Sequence, residues 1–179
     1  MKRYKWLLPI LLLITLCFGG CSGTVGGMSG ENPLEFLKGP ILLEGVLQVG
    51  EKEYGVHMES QTPPNGKVSF TAPESMKGYV FEKTEEGFYV SYGDLRVPIR
   101  QSSLPGGAGS LLGLLSLESA DFEKSEEKAN GMELYVYTFS LPEDGEIKLY
   151  LKKSSREPLC ISICSKEIEA VFHIQKAEY

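Results

Sequence analysis

The chain has 179 residues, 42% hydrophobic and 23% charged, a balance that fits one globular domain with short appendages and excludes a disordered polymer. Two histidines, and four cysteines without a repeated metal-ligand spacing, speak against a zinc module or a haem attachment site, and 20 glycines without a three-residue period exclude collagen. The formal charge of −6 lacks the basic footprint that nucleic acid demands.

Lys2, Arg3 and Lys5 precede an apolar run from Trp6 to Phe18, which closes on Gly19-Gly20-Cys21. This is the pattern of a secretory signal over residues 1–20, and the run is shorter than the ~20 apolar residues that span a bilayer. Leu16 to Cys21 resembles the lipobox of bacterial lipoproteins, with Phe18 where such signals usually carry Leu. The resemblance implies that Cys21 takes a thioether-linked diacylglycerol and becomes the first residue of the mature chain. Two acyl chains of about thirty methylenes, at ~0.8 kcal/mol each, give an anchoring energy on the order of 20 kcal/mol. Loss of residues 1–20 removes three basic and no acidic side chains, so the mature charge falls to about −9 and the single Trp is lost. Residues 21–30 are small and flexible, a tether of roughly 15 to 18 Å. One β-rich domain is expected over 31–179.

Asn32 and Pro33 are placed to open a short helix through Leu34, Phe36 and Leu37 to Gly39. The period then becomes two. Ile41, Leu43, Gly45, Leu47 and Val49 share one face of a first strand, and Tyr54, Val56 and Met58 one face of a second. Val68, Phe70 and Ala72 mark a third, Tyr79 and Phe81 a fourth, and Phe88, Val90 and Tyr92 a fifth after the turn Thr84-Glu85-Glu86-Gly87. Leu95, Val97 and Ile99 form a sixth, which Pro98 confines to an edge or a bulge. Ser103 to Gly109 reads as loop, and Ser110 is placed to cap a helix carrying Leu111, Leu112, Leu114, Leu115 and Leu117. The charged run Glu118 to Lys128 reads as a solvated connection. Four further strands follow at 134–139, 147–151, 159–163 and 170–174.

About ten strands joined by short turns, with two short helices and no alternation of strand and helix, predict a mainly antiparallel β fold. Leu134, Val136 and Thr138 oppose Tyr135, Tyr137 and Phe139, so that strand is expected to be covered on both sides, as in a curved sheet. The leading strand pair 42–49 and 54–60, the hairpin 79–81 to 88–90, the leucine helix and the closing ladder 134–174 together resemble the LolA/LolB-like half-barrel of the lipoprotein carrier and receptor superfamily. The resemblance implies a concave apolar sheet plugged by helices and holding acyl chains or another greasy ligand.

Candidate ligand-binding residues are Leu111, Leu112 and Leu115 on the helix and Tyr135, Tyr137 and Phe139 on the doubly covered strand. The leucine helix reads either as a lid, beside the glycine-rich stretch 106–109, or as a permanent cap; the aromatic residues read either as cavity lining or as ordinary core. Cys160 and Cys164 lie about 13 Å apart on an extended strand, too far for a mutual disulfide. They are small buried residues, intermolecular partners, or a bulged local bridge or metal pair. His57, with Glu59 on its side, and His173 are expected at the surface or rim, and no hydrolase or phosphate-loop motif is present. The expectation is therefore a non-catalytic lipoprotein, anchored in the cell membrane on its extracytoplasmic face, that binds a lipid or other hydrophobic molecule on the concave side of a half-barrel. It needs no metal or cofactor and has no nucleic-acid partner. The rival is a filled-core scaffold that binds another protein in an envelope or spore coat.

Overall fold

The computed structural model describes residues 33–100, 107–117, 121–141, 145–166 and 168–179. The signal, Cys21 and the tether lie outside the described residues. One compact unit covers Asn32–Tyr179.

Eleven antiparallel strands form one open, curved sheet: β1 (Ile41–Val49), β2 (Lys52–Ser60), β3 (Gly66–Ala72), β4 (Tyr79–Thr84), β5 (Gly87–Tyr92), β6 (Leu95–Ile99), β7 (Phe122–Ala129), β8 (Met132–Leu141), β9 (Gly145–Lys152), β10 (Pro158–Cys164) and β11 (Glu169–Glu178). Their spatial order is β6-β5-β4-β3-β2-β1-β11-β10-β9-β8-β7. Two meanders are thus joined through the first and last strands. Among the described residues, a 3₁₀ turn, Glu35–Leu37, precedes β1, and an α-helix, α1 (Ala108–Leu114), lies between β6 and β7 in sequence.

The period-two pattern decides which face is buried, because successive side chains point to opposite sides of a strand. Leu43 and Leu47 of β1, Met58 of β2, Val68 of β3, Leu149 of β9, Ile161 of β10 and Phe172 of β11 are all fully buried, and they belong to one core on the inner face. The 3₁₀ turn adds Leu34 and Leu37 to it. Strand β8 is buried on both sides, as its sequence predicts: Tyr137 and Phe139 point inward, while Leu134 and Val136 are covered outward beside Tyr150 and Lys152 of β9. On the outer face, glutamates alternate with basic side chains from β11 across to β6, in the order Lys176, Glu44, His57, Glu59, Lys67, Glu82 and Arg96. Each such exposed pair contributes about 0–1 kcal/mol, so this ladder sets solubility more than stability.

Two expectations are corrected. The run Glu118 to Lys128 is not a connection: residues 122–129 are edge strand β7, exposed along its whole length. Its pairing with β8 through the two-residue turn Asn130-Gly131, with φ of 50° and 79°, is the hairpin that asparagine-glycine favours. An edge strand with polar residues on both faces shows no alternation, and the charge concealed it. The helix is also shifted. It begins at Ala108, with Gly107 as its N-cap, no side-chain cap, and Ser110 inside the first turn. Gly107 takes φ of 85° and packs against Leu47, so glycine satisfies both the left-handed turn and the close approach. Pro98 does sit on an edge strand, β6.

The seam between β1 and β11 changes register at Glu44/Gly45. A side chain on Gly45 would overlap the backbone carbonyl oxygen of His173. Gly45→Val is therefore expected to abolish the cooperative thermal transition followed by circular dichroism. Gly113, with open space around its Cα, gives the opposite expectation: Gly113→Ala raises stability by up to about 1 kcal/mol through helix propensity.

Candidate ligand site

Helix α1 packs across β3 and β4 on the inner face. Leu111, Leu112 and Leu114 are fully buried, and Leu115, just past the last helical turn, is 2% exposed. Leu115 rests where a side chain at Gly66 would stand, so the glycine at the start of β3 makes the seat for the end of the helix. The chain then tightens through backbone bonds from Ser116 N–H to Gly113 and from Leu117 N–H to Leu114.

Lys83 lies opposite Gly66 in the β3–β4 ladder and points to the same side as buried Phe81. Its ammonium donates a hydrogen bond to the Ser116 hydroxyl, linking the sheet to the end of the cover. Burial pushes the lysine pKa below its ordinary value. Sequence reading missed Lys83, although the period of two that puts Tyr79 and Phe81 on one face puts Lys83 there too; the helix end that it meets is set only by the tertiary fold.

The aromatic candidates divide. Tyr137 and Phe139 are buried in the core that includes the α1 leucines. Tyr135 is half-buried against the edge of that core, with the Lys124 ammonium 3.9 Å from its ring centre. Phe122 stacks edge-on against Tyr137, with ring centres 5.6 Å apart. The Tyr137 hydroxyl is buried and has no hydrogen-bond partner among the described residues. An unpaired buried hydroxyl costs about 1–3 kcal/mol, so its retention needs a physical reason.

Surface grooves of about 580 and 380 Å³ lie at the β10–β11 end and beside the β7–β8 turn. Neither is lined by α1 or by Tyr135, Tyr137 or Phe139. With α1 seated, the space on the inner face is taken by the leucines themselves.

The remaining candidates sit on the outer face. His57 lies 3.5 Å from Glu44 and 3.7 Å from Glu59. His173 pairs in register with Cys160. Burial pushes the Cys160 thiol up to about 11, which keeps it protonated and unreactive at neutral pH. Cys164 is exposed, against the reading of both cysteines as small buried residues, and both thiols are free, against a local bridge. No group of three or more histidines, cysteines or carboxylates placed to hold a metal occurs among the described residues. Nor, among them, is any helix long and apolar enough to cross a membrane.

This architecture has counterparts among solved structures. An uncharacterized conserved protein from Thermus thermophilus is 13% identical, with 82% of each chain covered and a TM-score of 0.51. A LolA superfamily protein from Nitrosomonas europaea is 12% identical over 85% of this chain and 94% of its own, with a TM-score of 0.50. The fold is similar to that of the LolA superfamily. At these identities the likeness is one of fold, and it agrees with the half-barrel implied by the order of elements in the sequence. No protein-family model matches the chain, and no curated protein matches it in sequence.

The unequal burial of the two thiols on the outer face of β10 is directly testable. At pH 8 a maleimide is expected to add once to the segment Glu157–Lys166, at Cys164, and twice after denaturation, as counted by mass spectrometry. Two adducts on the folded protein would mean that β10 opens readily.

Proposed function

We propose that this chain is a lipoprotein, anchored through Cys21 on the extracytoplasmic face of the cell membrane, that holds a lipid or acyl chain on the inner face of its sheet. Helix α1 is the displaceable cover, and binding rather than catalysis is its role. The observation that carries this reading is the Tyr137 hydroxyl, buried without a partner in the core that α1 closes. A polar atom of a bound amphiphile, such as an ester carbonyl, supplies the missing acceptor. The LolA-like fold supports the same reading by analogy.

The energetics of exchange are balanced. Exposing four buried leucines costs roughly 6 to 12 kcal/mol, at about 1.5–3 kcal/mol each. Burying about fourteen methylenes of an acyl chain in their place returns roughly 11 kcal/mol at ~0.8 kcal/mol each. A chain of that length can therefore take the place of α1 without a large net change, and a short one cannot. Leu111, Leu112 and Leu115 are then the side chains exchanged, and Tyr135, Tyr137 and Phe139 the surface that stays behind.

The rival, a scaffold in an envelope or spore coat, draws on a different observation. At the β6 edge Leu95 is 64% exposed, Tyr92 55% and Val97 39%, an apolar rim on an open sheet edge where a partner strand can add.

Organic extraction of the purified full chain, followed by mass spectrometry, is expected to release a stoichiometric lipid. Tyr137→Phe is expected to raise the unfolding midpoint by roughly 2–4 °C, for about 1 kcal/mol of relieved desolvation, while weakening lipid retention. A Tyr137→Phe protein that is less stable would instead place a partner for the hydroxyl within the protein itself. For the address, Cys21→Ser is expected to abolish incorporation of labelled palmitate and to release the protein from the membrane fraction.

A further inference from the structure

Resting on the lipid-binding reading above, we infer that the ligand is an anionic amphiphile whose carboxylate or phosphate is taken by Lys83, at the Ser116 end of the cover.

Position and partner together distinguish this lysine. Lys67, Arg96, Lys148, Lys152, Lys153 and Lys176 each stand within 4.0 Å of a glutamate. Lys83 bonds only to a neutral hydroxyl among the described residues, and it is turned to the inner side of β4 rather than to the glutamate-rich outer face. Its place is the junction between apolar and polar surface. Phe81 lies two residues before it on the same side, Phe88 faces it across the β4–β5 ladder and Gly66 across the β3–β4 ladder, with Leu115 seated on that glycine. Burial disfavours the charged form, as its lowered pKa reflects, so a neighbouring anion would relieve that cost.

An anion at this point also competes with Ser116. The ammonium meets the serine hydroxyl as charge against dipole and an ionised oxygen as charge against charge, so a carboxylate or phosphate outcompetes the hydroxyl. The same event removes the side-chain bond that ties the end of α1 to the sheet. Headgroup recognition and release of the leucine cover then share one ammonium, and the chain of the ligand enters where Leu115 leaves.

The test uses the full chain purified in a non-ionic detergent at one fixed concentration. Displacement of a fluorescent fatty acid is titrated with two matched pairs, oleate against oleyl alcohol and dioleoyl phosphatidic acid against dioleoylglycerol. The expected result is at least tenfold tighter binding of the anionic member of one pair or both, the stronger pair distinguishing a carboxylate from a phosphate head. Lys83→Gln, which keeps a donor for Ser116, is expected to bring that ratio to about one, and Lys83→Arg to retain it. A ratio below tenfold in both pairs, or one that survives Lys83→Gln, overturns the assignment of the headgroup while leaving lipid carriage standing. Failure of all four lipids to displace the probe overturns both.

Discussion

The β1–β11 pairing is the constraint on which the rest of the molecule depends. Every other neighbouring pair of strands is consecutive in sequence, but this one joins residues such as Gly45 and Ile174, about 130 positions apart. Closing a loop of that length costs roughly 4 kcal/mol from the length term alone, and the side chains brought together at the seam must recover it. Leu43, Leu47 and Phe172, all fully buried, supply that burial, and Gly45 permits the backbones to approach where the register shifts. Without the seam there are two separate meanders, each with half a core.

The same topology explains why the inner face has a cover. The chain leaves β6 at one edge of the sheet and must enter β7 at the other, ten strand spacings away, or about 48 Å along the sheet at ~4.8 Å each. Residues 100–121 make that passage, and α1 within them lies over the inner side of β3 and β4. A connection that must cross the concave side is a natural place for apolar residues, and Leu111, Leu112, Leu114 and Leu115 are the densest aliphatic stretch in the described chain. The displacement of the cover that the proposed function requires is compatible with this connection, because the chain joins α1 to both edges of one sheet.

Much of this was legible in the sequence because the strands of an antiparallel sheet, apolar on one face, carry their own period. Ile41, Leu43, Leu47 and Val49 recur on one face, and the run appears as β1 with the bounds Ile41–Val49. What failed to be read lacks an alternating face or depends on tertiary geometry. Strand β7, Phe-Glu-Lys-Ser-Glu-Glu-Lys-Ala, has no buried residue and offers composition typical of a loop; only Asn130-Gly131 behind it marked a hairpin. Ser110 looked like the helix cap, yet Gly107 begins the helix, because close packing against Leu47 decides the turn. The contact of Lys83 with Ser116 and the unpaired hydroxyl of Tyr137 are invisible to any local pattern, since each is defined by what surrounds it in space.

Tyr137 and Lys83 are two polar groups placed at a cost to stability, one by full burial of an unpaired hydroxyl and one by partial burial of a charge. A core selected only for stability would carry Phe at 137, whose ring makes the same apolar contacts without the hydroxyl. Strand β8 already uses Phe at 139, two residues along on the same face, so phenylalanine is tolerated there. The two residues differ in one oxygen. On the proposed lipid-binding reading, that oxygen would lower the stability of the closed state relative to an open one in which a ligand satisfies it, and so narrow the gap between a core filled by α1 and one filled by an acyl chain. The cost of the unpaired group would then lie on the same energy scale as the leucines that the cover must give up.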